Sequence, residues 1–251
     1  VTPFKNGTID IPTFEMLLDT QLAANVDAIV VCGTTGEAAT LSYNERMALI
    51  ERCVRTADRR VPVIAGSGTN STASSIALSK AAQSAGVDAL LTVTPYYNKA
   101  SQSGLVQHFS AIADAVDVPV ILYNVPARTG IGCTVQTYQA LAKHPNIVGV
   151  KEASDNFDLI QDTLNLCPPG FTVWSGNDGS TAAIMALGGK GVISVAANVV
   201  PREMHELTQL CLKNRFLEAG ALQLKLHELI RALFCEVNPI PVKAAMELLG
   251  L

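Results

Sequence analysis

Ile147-Val148-Gly149-Val150-Lys151-Glu152 is an apolar run that stops abruptly at two charges. Polar and apolar residues do not alternate in it, as they would in a strand with one wet face. It reads as a strand buried on both sides, the pattern of a parallel sheet covered by helices. Similar runs rich in β-branched residues recur at 28–32, 61–65, 89–93, 118–124, 171–175 and 191–195. Stretches with helical apolar spacing lie between them: 43–57, with Met47, Ile50 and Val54 on one face, then 72–85, 102–115 and 135–143. Consecutive strands begin 20 to 33 residues apart, which suits βα units.

Seven strands are legible, and Val1-Thr2-Pro3-Phe4 reads as the tail of an eighth, followed by a helix over 12–24. Eight βα units predict a (β/α)8 TIM barrel, an α/β fold. An open doubly wound sheet has the same spacing and stays open as an alternative. Beyond Pro201 only helices are expected, at 202–213, 216–234 and 242–249. The expected division is a barrel over 1–214 and a C-terminal helical extension over 215–251, truncated at Leu251. A short segment is expected to precede Val1.

Of 251 residues, 49% are apolar, 16% charged and 5% aromatic, so Ala, Val, Leu and Ile must build the core. The net charge of −4 carries no basic block, which argues against a nucleic-acid surface. No apolar run is long enough for a membrane helix, and no signal segment opens the chain. Cys32, Cys53, Cys133, Cys167, Cys211 and Cys235 form no C-x-x-C pair, and reduced thiols in a cytoplasmic protein are expected.

In a barrel the chemistry gathers where strands end, in the βα loops. Gly33-Thr34-Thr35-Gly36-Glu37 follows the 28–32 run; its hydroxyls can bind a carboxylate, and a capped turn explains it equally well. Gly66-Ser67-Gly68-Thr69-Asn70-Ser71 begins like a dinucleotide loop but lacks the third glycine, so a structural turn is preferred. Thr94-Pro95-Tyr96-Tyr97-Asn98 offers phenols that could relay protons or simply pack. Tyr123 ends another strand, with Arg128 five residues on, a proton handler and a carboxylate binder unless they are core and surface. Lys151 ends its apolar strand. Burial disfavours an ammonium, and a neutral amine can attack a ketone to form an imine. The competing reading is a lysine reaching out to water beside Glu152. Gly176-Asn177-Asp178 is a polar turn that caps a helix at the least. The four histidines are scattered, and no metal, serine-hydrolase or phosphate-loop motif occurs.

Together these segments resemble the dihydrodipicolinate synthase family of pyruvate-dependent aldolases, from Val1-Thr2-Pro3-Phe4 to Asn238-Pro239-Ile240-Pro241-Val242-Lys243. The resemblance implies that Lys151 forms a Schiff base with pyruvate. It implies that Tyr123 moves protons, relayed through Thr34 and Tyr97, with Tyr97 serving a neighbouring subunit in a homo-oligomer. Thr35 would bind the pyruvate carboxylate, Arg128 the carboxylate of aspartate 4-semialdehyde, and Gly176 and the Ile193 backbone would line the pocket. No metal or organic cofactor is implied. Tyr96 and Asn70 match the family's lysine-inhibition site, whereas Tyr43 and Arg46 stand in place of histidines and Ser74 in place of a glutamate, so weak inhibition by lysine is expected. Sister aldolases acting on N-acetylneuraminate or 2-keto-3-deoxy sugar acids share Lys151 and Tyr123, and a non-catalytic keto-acid sensor is the alternative from another class.

Overall fold

The computed structural model describes Val1–Leu251. Six parallel strands, β3 (Ile29–Val31), β4 (Val63–Gly66), β5 (Ala89–Val93), β6 (Val120–Asn124), β7 (Ile147–Glu152) and β8 (Thr172–Ser175), pair in sequence order as one sheet. They follow a two-stranded antiparallel hairpin, β1 (Phe4–Lys5) and β2 (Thr8–Ile9). Helix α1 (Ile11–Ala23) leads into β3, and the crossovers are α2 (Tyr43–Ala57), α3 (Thr72–Ser84), α4 (Gln102–Ala113), the short α5 (Pro126–Thr129) with α6 (Val135–Leu141), and α7 (Phe157–Leu166). After β8 come α8 (Thr181–Ala186), α9 (Pro201–Leu212), α10 (Phe216–Leu233) and α11 (Ile240–Leu248). No helix is long and apolar enough to cross a membrane.

Local chemistry explains the helix starts. Ser42 and Glu45 form a reciprocal capping box at α2, and Ser71, Ser101, Thr134 and Asn156 cap α3, α4, α6 and α7 through their side-chain oxygens. Each such cap contributes about 1 kcal/mol. Proline in the first turn of α1, α5, α9 and α11 presets the backbone and removes an N–H that would lack a partner.

The strands alternate between two buried faces. Leu90, Leu122, Val150 and Val173 pack outward against Leu49, Leu105, Phe109 and Tyr138 of the helices. Leu91, Ile121, Tyr123 and Val125 form a smaller cluster on the other face, joined by Val148, Trp174 and Ile193. Fully burying one such aliphatic side chain stabilises by roughly 1.5–3 kcal/mol. A third cluster, with Met185, Leu207, Leu226, Leu233 and Val242, ties α8 to α9, α10 and α11.

Two expected strands are absent. Val1-Thr2 joins no strand, and Phe4 belongs to the hairpin, whose turn is Asn6-Gly7 with both φ values positive, 51° and 78°. That dipeptide is the favoured two-residue hairpin turn and outweighs a strand over 1–4. The run 191–195 makes only one bridge, Ser175 to Val192, supported by Ser175 N–H to Gly191 O (2.8 Å) and Ile193 N–H to Ser175 O (2.9 Å). Beyond it the Val195 and Ala196 amides turn to the Asp178 carboxylate, which diverts them from any ladder. The observed architecture is therefore a six-stranded parallel α/β sheet rather than eight paired strands.

Candidate active site

A cavity of about 650 Å³ opens between the free edge of β3 and the 191–194 segment, and Lys151, Thr34, Thr35, Trp174, Ile193 and Ser194 are in its wall. Lys151 is buried, with only 8% of its surface accessible, so it does not reach out to bulk water. It is the register partner of Tyr123 on β6 and of Trp174 on β8. Its Nζ lies 4.3 Å from the centre of the Tyr123 ring and is in no ion pair. Glu152, the next residue, faces the helices on the opposite side of the sheet. It accepts hydrogen bonds from Asn124 Nδ2 (2.9 and 3.1 Å), Tyr138 Oη (2.6 Å) and Ser154 N–H (2.9 Å). Burial pushes the Glu152 carboxyl up, while the Tyr138, Ser154 and Asn124 bonds pull it down. Asn124 and Glu152 are themselves register partners, so this buried network locks the ends of β6 and β7 directly behind Tyr123 and Lys151.

Thr34 and Thr35 lie in a single 3-10 turn just past β3, both half-buried. Thr35 Oγ1 accepts a hydrogen bond from Asn238 Nδ2 (3.0 Å). The same Asn238 accepts one at its backbone oxygen from Arg128 Nη2 (3.0 Å). Lys243, on α11, pairs with Glu37 at 2.7 Å and donates to Thr2 O at 3.1 Å. The α10–α11 connection and α11 thus hold both the 33–37 turn and Arg128. Sequence spacing could not reveal this, because Asn238 and Thr35 are 203 residues apart.

Arg128, on α5, is exposed and lies outside the cavity wall. Gly176 N–H donates to Glu152 O (2.7 Å), and a Cβ on Gly176 would sit 2.6 Å from that of Ala153, so only glycine fits there. Tyr97 stands apart: it is 90% exposed, with φ +72°, and no hydrogen bond joins Tyr123 to Tyr97 or Thr34. The Gly66-Ser67-Gly68 turn is structural. A Cβ on Gly66 would lie 1.9 Å from Cys32 O and one on Gly68 2.3 Å from Val93 N. All six cysteines are free thiols, and burial pushes Cys32, Cys53 and Cys133 up to about 12. Arg46, buried within α2, donates to Ala38 O (2.5 Å) and Gly66 O (3.4 Å).

The family model described as the dihydrodipicolinate synthetase family matches residues 1–251. The 4-hydroxy-tetrahydrodipicolinate synthase of Exiguobacterium sibiricum is 50% identical over 251 residues, covering 100% of this chain and 86% of that protein. The enzyme of the same name from Acetivibrio thermocellus is 47% identical, covering 100% of this chain and 85% of that one. The crystal structure of dihydrodipicolinate synthase from Aquifex aeolicus superposes with a TM-score of 0.98 at 45% identity, covering 100% of this chain and 86% of the other. A structure described as the first monomeric dihydrodipicolinate synthase variant superposes equally well, at 44% identity, covering 100% of this chain and 85% of that one. With a buried lysine set against a tyrosine over a cavity, and with these likenesses along its whole length, the chain belongs to the dihydrodipicolinate synthetase family.

Proposed function

We propose that the protein is a lyase that condenses pyruvate with aspartate 4-semialdehyde to 4-hydroxy-tetrahydrodipicolinate, in lysine and diaminopimelate synthesis. The observation that carries this reading is Lys151 Nζ, unpaired at the cavity wall and 4.3 Å from the centre of the Tyr123 ring. The amine of Lys151 adds to the keto carbon of pyruvate, water leaves, and an imine remains. The imine draws electrons from the methyl group, which loses a proton to give an enamine. That enamine attacks the aldehyde carbon. Each proton transfer needs a group within hydrogen-bond reach, a role assigned to Tyr123 with Thr34. Thr35 holds the pyruvate carboxylate, supported by its hydroxyl. Because that oxygen accepts from Asn238 Nδ2, its own hydrogen is left to point at a ligand. Arg128 holds the second carboxylate, and Gly176 and the Ile193 backbone shape the pocket.

Tyr97 completes the relay in a second copy of the chain, so the working form is a homo-oligomer, a dimer or a dimer of dimers. Its 90% exposure on a loop with φ +72° supports that reach. The Ser175–Val192 bridge at one edge of the sheet and the cavity beside the β3 edge at the other support a barrel-like curling of the sheet over 1–214, with 215–251 as a helical extension. A cytoplasmic location suits the six free thiols. Weak feedback by lysine is supported by Arg46, whose guanidinium is turned inward onto backbone oxygens.

Borohydride reduction in the presence of pyruvate, read by mass spectrometry, tests the proposal. The expected result is one pyruvyl adduct on Lys151, lost together with turnover in Lys151→Ala. No adduct in the wild type, or unchanged turnover in that variant, overturns it.

A further inference from the structure

The cavity is far larger than a three-carbon keto acid. It runs from Lys151, Thr34 and Thr35, where strands end, to Asp27 and Asp88, which precede β3 and β5, and to His205 on α9. A small substrate bound to Lys151 uses one end of it, and a side chain must close that end off. Trp174 stands in the right place. It is the only tryptophan of the chain, lies in the cavity wall and is the register partner of Lys151. The preceding pair, Val150 and Val173, packs among the helices, so alternation turns Lys151 and Trp174 to the other face. There Trp174 packs against the cluster of Leu91, Ile121 and Tyr123. Its ring lies between two glycines: a Cβ on Gly149 would sit 2.8 Å from ring atom Cζ3, and one on Gly191 would sit 3.6 Å from Cδ1. The ring therefore reaches from the 191–194 segment across to β7. Gly149 precedes Lys151 by two residues on the same face, so the ring occupies the layer just beneath the lysine, on the side where the strands begin.

We propose that Trp174 is a specificity-determining residue that limits the 2-oxo acid to three carbons, its ring being the floor of the Lys151 subsite and shutting a longer chain out of the cavity beneath. The inference rests on the function proposed above. The keto carbon bonds to Nζ as water leaves, and the carboxylate is assigned to Thr35, so an added carbon can sit only on C3. C3 loses a proton and must keep one face open to the aldehyde at the mouth. An added methyl is therefore housed on the inner side of Lys151, in the space that the Trp174 ring takes up. An apolar wall discriminates by volume, and one surplus methylene lowers kcat/KM roughly 10- to 200-fold. Because the cavity continues past the ring, a shorter side chain at 174 opens usable volume.

The test compares kcat/KM for pyruvate and for 2-oxobutyrate, one carbon longer, in condensation with aspartate 4-semialdehyde, the products being read by mass spectrometry. Wild type is expected to prefer pyruvate at least about tenfold. Trp174→Leu and Trp174→Ala are expected to cut that preference about fivefold or more, through a rise in kcat/KM for 2-oxobutyrate. No preference in wild type, an unchanged preference in both variants, or a preference that falls only because pyruvate turnover drops overturns the proposal. Gly66→Ala, strained at the β3–β4 contact and outside the cavity wall, controls for general softening. Wild-type preference in that variant supports the proposal, and an equal relaxation overturns it. Should Trp174→Ala not fold by circular dichroism, Trp174→Leu decides. Wild type that condenses neither acid brings down the lyase reading and this inference together, whereas condensation of pyruvate with a preference indifferent to Trp174 brings down this inference alone.

Discussion

Lys151 and Tyr123 are register partners on adjacent parallel strands, and the lysine nitrogen lies 4.3 Å from the centre of the tyrosine ring. The ladder between β6 and β7 fixes this spacing, and the Asn124–Glu152 pair, one residue further along both strands, anchors it from behind. The two side chains assigned above to one small molecule are thereby held by backbone pairing rather than by loops.

Tyr123→Phe keeps the ring under the lysine and removes the hydroxyl. The pyruvyl adduct should still be trapped on Lys151, while turnover falls about a hundredfold, the lower end of what a positioned proton donor contributes. Wild-type turnover in a coupled steady-state assay would remove Tyr123 from the proton path.

Asn238→Ala removes the amide that holds the Thr35 hydroxyl, from a residue 203 positions away in the chain. The Arg128 contact uses the Asn238 backbone oxygen and survives the substitution. KM for pyruvate should rise roughly five- to tenfold, the value of about one hydrogen bond, with a smaller change in kcat. A change confined to KM for the aldehyde substrate would contradict this assignment of Thr35.

Glu152→Gln tests the buried network by pH. Burial raises the Glu152 carboxyl above its ordinary value of about 4.5, so the folded state binds that proton more tightly than the unfolded chain does. The folded protein is then favoured below the ordinary value, and that stability is lost as pH rises from there through the folded value. Glutamine does not titrate, so the stability of wild type relative to the variant should be greater at pH 4 than at pH 7 in denaturant melts, with the difference developing from about pH 4.5 upward. A difference independent of pH would mean that the carboxyl is not raised.

Gly66→Ala should destabilise the protein by about 3 kcal/mol or more, because the added methyl would meet the backbone oxygen of Cys32 at 1.9 Å and one strand must move. Thermal melting reads this directly. A variant as stable as wild type would mean that the β3–β4 contact is loose.

Much of the fold is written locally. Continuous β-branched runs marked β3 to β8 as buried parallel strands, and a helix over 43–57 was legible from its apolar face. Of the two unfulfilled strands, only the first carries a local signal against it. Asn6-Gly7 is a hairpin signal that competes with the strand reading of 1–4. The fate of 191–195 was not legible, because it depends on the Asp178 carboxylate reaching the amides of Val195 and Ala196 from another loop.

What the chain order alone determined is a lysine at the end of an apolar strand, a tyrosine at the end of its neighbour and a hydroxyl-bearing turn after a third, since strand period and composition are properties of neighbouring residues. The tertiary structure decided that Lys151, Thr34, Thr35 and Ile193 share one cavity, that Asn238 holds Thr35, that Tyr97 stands in solvent, and that Asp178 is buried without a cation. Those relations join residues tens to hundreds of positions apart. Packing brings them together, and no local pattern encodes which distant partner will satisfy a given polar atom.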